Sequence, residues 1–273
     1  MSHINKKIGF IGAGNMSSSI IRGLINTGQK EDSIFTSSPN KQDLNQLEKE
    51  LGINTSTNNL DVAGASEVLI LGIKPNKVTI VLEEIKNEVE ASFPLVISVA
   101  TGIKINSIEK LLPQGVRVIR AMPNTPSSVN SGITALCGNS EIKENDLLIA
   151  ESIFNSVGTT LNLQENKFDL FTSLIGSGPA YVFHFAESLI KAAEGLEIPD
   201  EEKRALIERL IEGSLKLSKN SKKSLSALRD QVTSPGGVTQ EAIMYMQEKE
   251  IFQNIVSAIE AGEKKAKKLG EEK

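Results

Sequence analysis

A glycine-rich loop near the start of the sequence, Gly12-Ala13-Gly14-Asn15-Met16-Ser17, most constrains how this chain can fold. The short, mainly apolar segment 7–11 before it suffices for one buried strand, and apolar positions recur after it at helical spacing. Such a strand–turn–helix unit presents backbone N–H groups to a phosphate, with Gly12 in the tight turn and Gly14 where a pyrophosphate approaches. We predict a dinucleotide-binding unit, although Ser17 replaces the third glycine of the usual pattern and an ordinary strand–helix turn is the alternative.

The second predicted strand, residues 33–36, ends among hydroxyl side chains. NAD-binding units usually place an acidic residue about 20 residues after the glycines, where it holds a ribose hydroxyl. Here that place holds Thr36, Ser37 and Ser38, with Lys41 close behind, and the nearby acidic residues precede the strand. Hydroxyls and a cation suit a 2′-phosphate, so the sequence favours NADPH and leaves NADH possible. The alternative is a plain turn that caps the helix predicted at 40–51.

Buried strands and helices alternate through the first half of the chain. Further strands are predicted at 67–73, 95–99, 116–120 and 159–163. The alternation predicts an α/β fold, with an N-terminal Rossmann-type doubly wound sheet of parallel strands. Ligands of such sheets lie across the carboxyl ends of the strands, where segments 72–75, 99–101 and 122–126 emerge. Two charged residues lie there: Lys74 is a candidate proton donor or a charged orienting group, and Arg120 either neutralises a substrate acid or forms a structural ion pair.

Helical patterning replaces the alternation beyond residue 164. We therefore predict a dinucleotide-binding domain at 1–163 and an all-α domain at 164–273. The helix after Pro179 is apolar nearly all round and must be buried, either inside the domain or between subunits. His184 within it is expected to be a buried, hydrogen-bonded histidine rather than a base. With a second apolar stripe on the last helix, this predicts a homodimer through the helical domain.

One break between helices, residues 231–239, carries more donors than a simple turn needs. It contains the paired glycines Gly236 and Gly237 and several hydroxyl side chains, just before a helix predicted at 240–249. Free N–H groups at a helix start attract an anion. The segment therefore predicts a site for a carboxylate ligand.

Composition excludes several other functions. A net charge of −4 with 23% charged residues gives no basic surface for a nucleic acid. One cysteine, Cys137, allows no internal disulfide and fits a reducing cytoplasm, and we expect it to be a small buried residue rather than a nucleophile. Because His3 and His184 are the only histidines, no zinc site is expected. No apolar run approaches the ~18 residues of a membrane span, so we expect a soluble cytoplasmic protein.

Five segments in this order resemble the pyrroline-5-carboxylate reductase family: residues 10–16, 74–76, 120–126, 176–181 and 229–237. The resemblance covers nearly the whole chain, and its last motif, Arg-Asp-Gln-Val-Thr-Ser-Pro-Gly-Gly, is the most specific. It implies reduction of the cyclic imine 1-pyrroline-5-carboxylate to L-proline with NADPH or NADH, the last step of proline synthesis. It also implies that helical domains exchange between subunits to form a dimer, which can assemble into a larger ring.

The resemblance further implies functional residues. Those matching cofactor-contacting positions are Ile11, Gly12, Ala13, Gly14, Asn15, Met16, Ser37, Asn59, Gly72, Ile73, Lys74, Pro75, Val99, Ala100 and Thr101. Those matching the substrate loop are Gly236, Gly237, Val238 and Thr239, with the Thr239 hydroxyl near the ring nitrogen as the catalytic group. No metal is implied. The departures, Ser17 for alanine and Val238 for alanine or threonine, are expected to matter little.

Two other functions remain open. A β-hydroxyacid dehydrogenase has a similar two-domain plan, but it needs a lysine early in the first long helix of the helical domain, and here none occurs before Lys191. An NADP-binding paralogue with a regulatory role is the other alternative. The retained Gly236, Gly237 and Thr239 argue against it.

Overall fold

The computed structural model describes residues 4–271. They divide into two compact units. Gly178–Ala261 form one unit, and the described residues on either side of that segment form the other. The last helix begins in the all-helical unit and ends in the sheet-containing one.

The larger unit is built on an eight-stranded sheet. Its strands are β1 (Ile8–Ile11), β2 (Ile34–Ser37), β3 (Asn54–Ser56), β4 (Val68–Leu71), β5 (Leu95–Ser98), β6 (Val118–Met122), β7 (Gly132–Gly138) and β8 (Gly158–Asn162). Their spatial order is β3-β2-β1-β4-β5-β6-β7-β8, and all neighbours run parallel except β6 and β7. The strand order reverses between β1 and β4, the point where doubly wound sheets bind ligands.

Helices connect and cover the strands. The α-helices of the larger unit are α1 (Asn15–Asn26), α2 (Lys41–Leu51), α3 (Asn59–Ala65), α4 (Val78–Ser92), α5 (Ile105–Glu109), α6 (Glu144–Asn155) and α7 (Phe168–Phe171). Those that follow are α8 (Gly178–Ala192), α9 (Asp200–Lys219), α10 (Leu225–Gln231), α11 (Val238–Glu248) and α12 (Ile251–Glu271). Shorter 3₁₀ turns are Glu31–Ser33, Pro75–Lys77, Thr125–Val129, Glu165–Lys167 and Ala193–Leu196, and Thr172–Gly176 is a π-helical turn.

The central strands β1, β4, β5 and β6 are buried along their whole length, which explains their nearly continuous apolar sequences. Alternate residues of each strand face opposite sides of the sheet. Ile8 and Ile70 join one apolar core, with helix residues such as Leu24. Leu69 and Leu71 join the other. Each fully buried aliphatic side chain stabilises the fold by roughly 1.5–3 kcal/mol, so covering both faces holds the strand ends in place.

The sheet is mixed, and the prediction of an all-parallel sheet is wrong at β7. Sequence patterning missed both this strand and the short β3 edge strand. The segment from β6 to β7 spans only residues 123–131, too few for a crossover helix, so the chain returns antiparallel. Asn124 fixes this return, because its Oδ1 accepts a hydrogen bond from the Ile133 N–H at 2.8 Å.

The unit of residues 178–261 contains no buried residue. Its apolar side chains are exposed, including Phe183 at 64% and Ile255 at 54%. The prediction that α8 is buried inside its own domain is therefore wrong for the described chain. His184 is not buried within one chain either: its side chain is 84% exposed, with Nδ1 3.5 Å from Glu187 Oε2. Among the helices within residues 4–271, none has the length and apolar character to cross a bilayer.

Candidate functional site

The glycine loop lies at the reversal point of the sheet. The Gly12 N–H donates to the Ser37 carbonyl and the Gly72 N–H to the Ile11 carbonyl, each at 2.9 Å. The loop therefore joins the ends of β2, β1 and β4. Gly12 has a φ of +103°, and a β-carbon there would come within 2.5 Å of the Gly72 carbonyl oxygen. Two chain segments meet here so closely that only glycine fits.

The start of α1 fits a dinucleotide phosphate. Gly14 precedes the helix, is exposed, and a β-carbon on it would meet no atom within 4 Å. The first turn carries no acidic residue, and Gly14 has no side chain that could cap the free N–H groups. Asn15 is exposed and Met16 half-buried beside this space, while Ile11 and Ala13 are buried behind it. A phosphate could thus reach unpaired N–H groups and the positive end of the helix dipole.

The predicted ribose end lies where β2 stops. Ser37 is buried, and its Oγ donates to Asn59 Oδ1 at 2.8 Å. Ser38 is also buried, whereas Lys41 is exposed. Thr36 faces the interior, and its Oγ1 has no hydrogen-bond partner among residues 4–271. The alternative interpretation, a turn that caps the following helix, is also observed in part. Asn40 caps α2, because its side chain accepts a hydrogen bond from the Gln42 N–H at 3.0 Å.

The ends of β4 and β5 bring the remaining predicted cofactor residues to the same edge. The Val99 N–H donates to the Leu71 carbonyl at 3.3 Å, which joins segment 99–101 to segment 72–75. Gly72, Ile73 and Pro75 are half-buried, Ala100 is buried, and Lys74 and Thr101 are exposed. A cavity of about 400 Å³ opens there between Pro75, Thr101, Ser173, Ser177 and Lys265. It lies wholly within the sheet-containing unit.

Arg120 is a structural residue. Its side chain is 4% exposed, its Nη1 lies 3.1 Å from Glu165 Oε1, and its guanidinium sits 4.7 Å from the centre of the Phe168 ring. Glu165 also accepts from the Ile105 N–H at 2.8 Å. Of the two roles foreseen for Arg120, the ion pair is the one observed, because its charge is already compensated inside the protein.

Cys137 is not poised as a nucleophile. Burial, together with the nearby negative charge of Glu165, raises the pKa of its thiol from 9.0 to about 12, and Arg120 offsets only part of the shift. The thiol therefore stays protonated at neutral pH. His3 lies outside the described residues. Within residues 4–271, no three metal-binding side chains cluster.

The predicted substrate loop forms the start of α11, two residues earlier than the sequence suggested. Gly237 is extended and precedes the helix, so Val238 and Thr239 fall in its first turn instead of in the loop. Gly236 has a φ of +68°, a conformation that favours glycine. A shallow cavity of about 690 Å³ is lined by Gly236, Gly237, Val238, Glu241 and Tyr245. It lies wholly within the unit of residues 178–261.

Two of the four loop amides are already paired. The Gly236 N–H donates to Gln240 Oε1 at 2.6 Å, and the Gly237 N–H donates to the Ser234 carbonyl at 3.0 Å. Val238 and Thr239 occupy the first helical turn, whose N–H groups have no intrahelical acceptor. An anion at this loop therefore meets these two amides first, with the half-buried Thr239 beside them.

Sequence reasoning missed two residues at these sites. Gln240 carried a signal, because a glutamine three residues after a helix cap commonly reaches back to a backbone N–H. Glu84 carried none: its Oε2 accepts from Asn59 Nδ2 at 2.8 Å, across 25 residues of sequence.

Comparisons with known proteins agree with both halves of the molecule. Residues 165–269 match a family model described as pyrroline-5-carboxylate reductase dimerisation. Residues 7–102 match one described as NADP oxidoreductase, coenzyme F420-dependent. Over 269 residues the chain is 34% identical to a pyrroline-5-carboxylate reductase of Methanosarcina acetivorans, covering 97% of this chain and 98% of the relative.

Solved structures agree over the same span. A pyrroline-5-carboxylate reductase from Coxiella burnetii superposes with a TM-score of 0.90 at 35% identity, covering 97% of this chain and 99% of the other. A Plasmodium falciparum pyrroline carboxylate reductase with NADP bound gives 0.88 at 30% identity, covering 98% and 100%. Identity and coverage at this level, on top of the two helix starts described above, show that the chain belongs to the pyrroline-5-carboxylate reductase family.

Proposed function

We propose that the chain reduces 1-pyrroline-5-carboxylate to L-proline with NADPH, and accepts NADH, as the last step of proline synthesis in the cytoplasm. The observation that carries this proposal is the start of α11. It offers amides and a hydroxyl to an anion within a chain 34% identical to a reductase of that name. When bound, the nicotinamide supplies the hydride.

The cofactor residues would act by position. Unpaired N–H groups at the start of α1 would hold the pyrophosphate, and Ser37 and Asn59 the adenosine ribose. Segments 72–75 and 99–101 would line the nicotinamide end. A cationic imine carbon accepts hydride readily, so the protein needs little more than correct placement of the two reacting carbons.

The substrate residues would bind both ends of a charged ring. The amides of Val238 and Thr239 would hold its carboxylate, and Gly236 and Gly237 would shape the loop that presents these two amides. The Thr239 hydroxyl would hydrogen-bond the ring nitrogen as it becomes an amine. Glu241 lines the same cavity, and its carboxylate would attract a protonated imine.

We also propose that the helical region, residues 164–273, forms a homodimer, with dimers able to join into a ring. The exposed apolar side chains of residues 178–261 support this, because a surface of this kind is stable in water only when covered. Light scattering tests the proposal. A dimer has twice the 29.5 kDa mass of one chain, and a monodisperse monomer would contradict it.

One assay separates the proposed reaction from the alternatives. NADPH oxidation is followed with 1-pyrroline-5-carboxylate, with a 2-keto acid, and with no added substrate. We expect oxidation only with the imine. Turnover confined to the keto acid would indicate a hydroxyacid dehydrogenase, and cofactor binding without turnover would indicate a regulatory protein.

A further inference from the structure

A chain of three polar side chains lies at the predicted ribose end of the cofactor site. Ser37 Oγ donates to Asn59 Oδ1, and Asn59 Nδ2 donates to Glu84 Oε2, each at 2.8 Å. The three residues come from different elements: the end of β2, the start of α3 and the first half of α4. Only Ser37 is buried; Asn59 is half-buried and Glu84 exposed.

Glu84 determines the direction of both hydrogen bonds. A carboxylate can only accept, so the Asn59 amide must turn its Nδ2 toward Glu84. Its Oδ1 then faces Ser37, whose hydroxyl has a single hydrogen and donates it to that oxygen. The Ser37 oxygen is left with lone pairs. Because this hydroxyl is buried, a ribose reaches it only when a neighbouring side chain moves, and toward that ribose it is an acceptor.

This direction distinguishes the two nicotinamide cofactors. The ribose 2′-hydroxyl of NADH can donate to the Ser37 oxygen. The 2′-phosphate of NADPH carries acceptor oxygens, which cannot pair with a lone pair and are repelled by the Glu84 charge. The exposed Lys41 still attracts a phosphate, so both cofactors bind and their ratio is what Glu84 changes.

We infer that Glu84 is a positioning residue, acting through Asn59, that lowers the preference of this chain for NADPH over NADH. The inference rests on the proposed function, because it assumes that the adenosine ribose lies beside Ser37. It concerns the ratio of two affinities, which a general loss of structure would leave unchanged.

Three variants of the full chain test this inference. Glu84→Lys reverses the polarity: lysine donates to Asn59 Oδ1, the amide turns, and Ser37 is free to donate to a phosphate. Glu84→Gln removes the charge but keeps an acceptor for Asn59. Glu83→Lys is the matched control, since it makes the same change of charge at the exposed neighbouring position.

The readout is the Kd of NADPH and of NADH, from fluorescence titration without substrate. We expect Glu84→Lys to raise the NADPH preference at least tenfold, Glu84→Gln to raise it two- to threefold, and Glu83→Lys to leave it within twofold. An unchanged ratio in both Glu84 variants would overturn the inference. So would an equal shift in Glu83→Lys, since a general charge effect would explain it. If Glu84→Lys does not fold, the Glu84→Gln ratio decides.

The parent chain is assayed with 1-pyrroline-5-carboxylate in the same experiment. Failure of the parent chain to reduce the imine would contradict the proposed function. Imine reduction by the parent together with an unchanged cofactor ratio in the variants would remove only the role of Glu84.

Discussion

The Ser17 hydroxyl oxygen fills the space that a β-carbon on Gly72 would need. Ser17 is 1% exposed, and its Oγ has no hydrogen-bond partner within the described residues. The third position of the glycine pattern therefore packs α1 against the end of β4, and the absence of a side chain at Gly72 makes room for the serine. This pairing explains how the loop tolerates a residue other than glycine there.

The contact between Ser17 and Gly72 predicts that Ser17→Ala restores part of the stability that Gly72→Ala removes. Gly72→Ala should lower the free energy of unfolding by about 1–3 kcal/mol, as overpacking does, and weaken NADPH binding. Ser17→Ala should change stability by less than about 0.5 kcal/mol, because the hydroxyl it removes is unpaired. In the double variant the new methyl group would lie 3.3 Å from the Ser17 β-carbon, so most of the stability should return. Chemical denaturation of all four proteins measures this coupling, and purely additive effects would contradict it.

Gln240 braces the substrate loop from within α11. Gln240→Ala removes the acceptor of the Gly236 N–H, and a hydrogen bond of about 1 kcal/mol corresponds to roughly a fivefold rise in KM for the imine. The kcat should change little, because Thr239, which is proposed to contact the ring nitrogen, is held by the first turn of α11 and not by the loop. Gln247→Ala, at an exposed position of the same helix, is the control and should match the parent. An unaltered KM in Gln240→Ala would show that the loop keeps its shape without the brace.

Thr239 should matter for the reaction itself. Thr239→Ala removes the hydroxyl proposed to contact the ring nitrogen, and we expect kcat/KM to fall about tenfold, the value of one good hydrogen bond. Thr239→Ser keeps the hydroxyl and should retain most of the activity. Steady-state kinetics on both variants give the comparison. Full kcat/KM in Thr239→Ala would remove this residue from the mechanism.

Cys137 gives a prediction about pH. Because burial raises its pKa to about 12, the thiolate fraction of the folded protein is still increasing at pH 10. The rate of alkylation by iodoacetamide should therefore keep rising about tenfold per pH unit from 8 to 10. In denaturant the same thiol titrates near its ordinary pKa of 9.0, and its rate should level off above that pH. A plateau near pH 9 in the folded protein would contradict the raised pKa.

Local patterns in the sequence predicted most of the sheet. The glycine loop, the strands around β1, β4 and β5, and the carboxyl edge that they share all follow from apolar runs and turn residues. The antiparallel β7 did not, because its direction is set by the length of one connection and by the Asn124 side chain. Glu84 was equally invisible, since its contact with Asn59 exists only after α3 and α4 have packed.

Helix α8 shows the other limit of a sequence. Its apolar residues correctly signalled a surface that avoids water, yet within one chain Phe183 remains 64% exposed. A hydrophobic pattern reports the need for burial and does not say which molecule provides it. Whether the same chain or a second copy covers this surface depends on how the protein assembles.

The position of hydride delivery tests the central claim most directly. The enzyme is incubated with 1-pyrroline-5-carboxylate and NADPH deuterated on both faces at C4, and the product is examined by mass spectrometry and NMR. We predict L-proline carrying one deuterium at ring carbon C5, formed in equal amount to the oxidised cofactor. Cofactor oxidation without labelled proline, or a deuterium at any other carbon, would contradict the account.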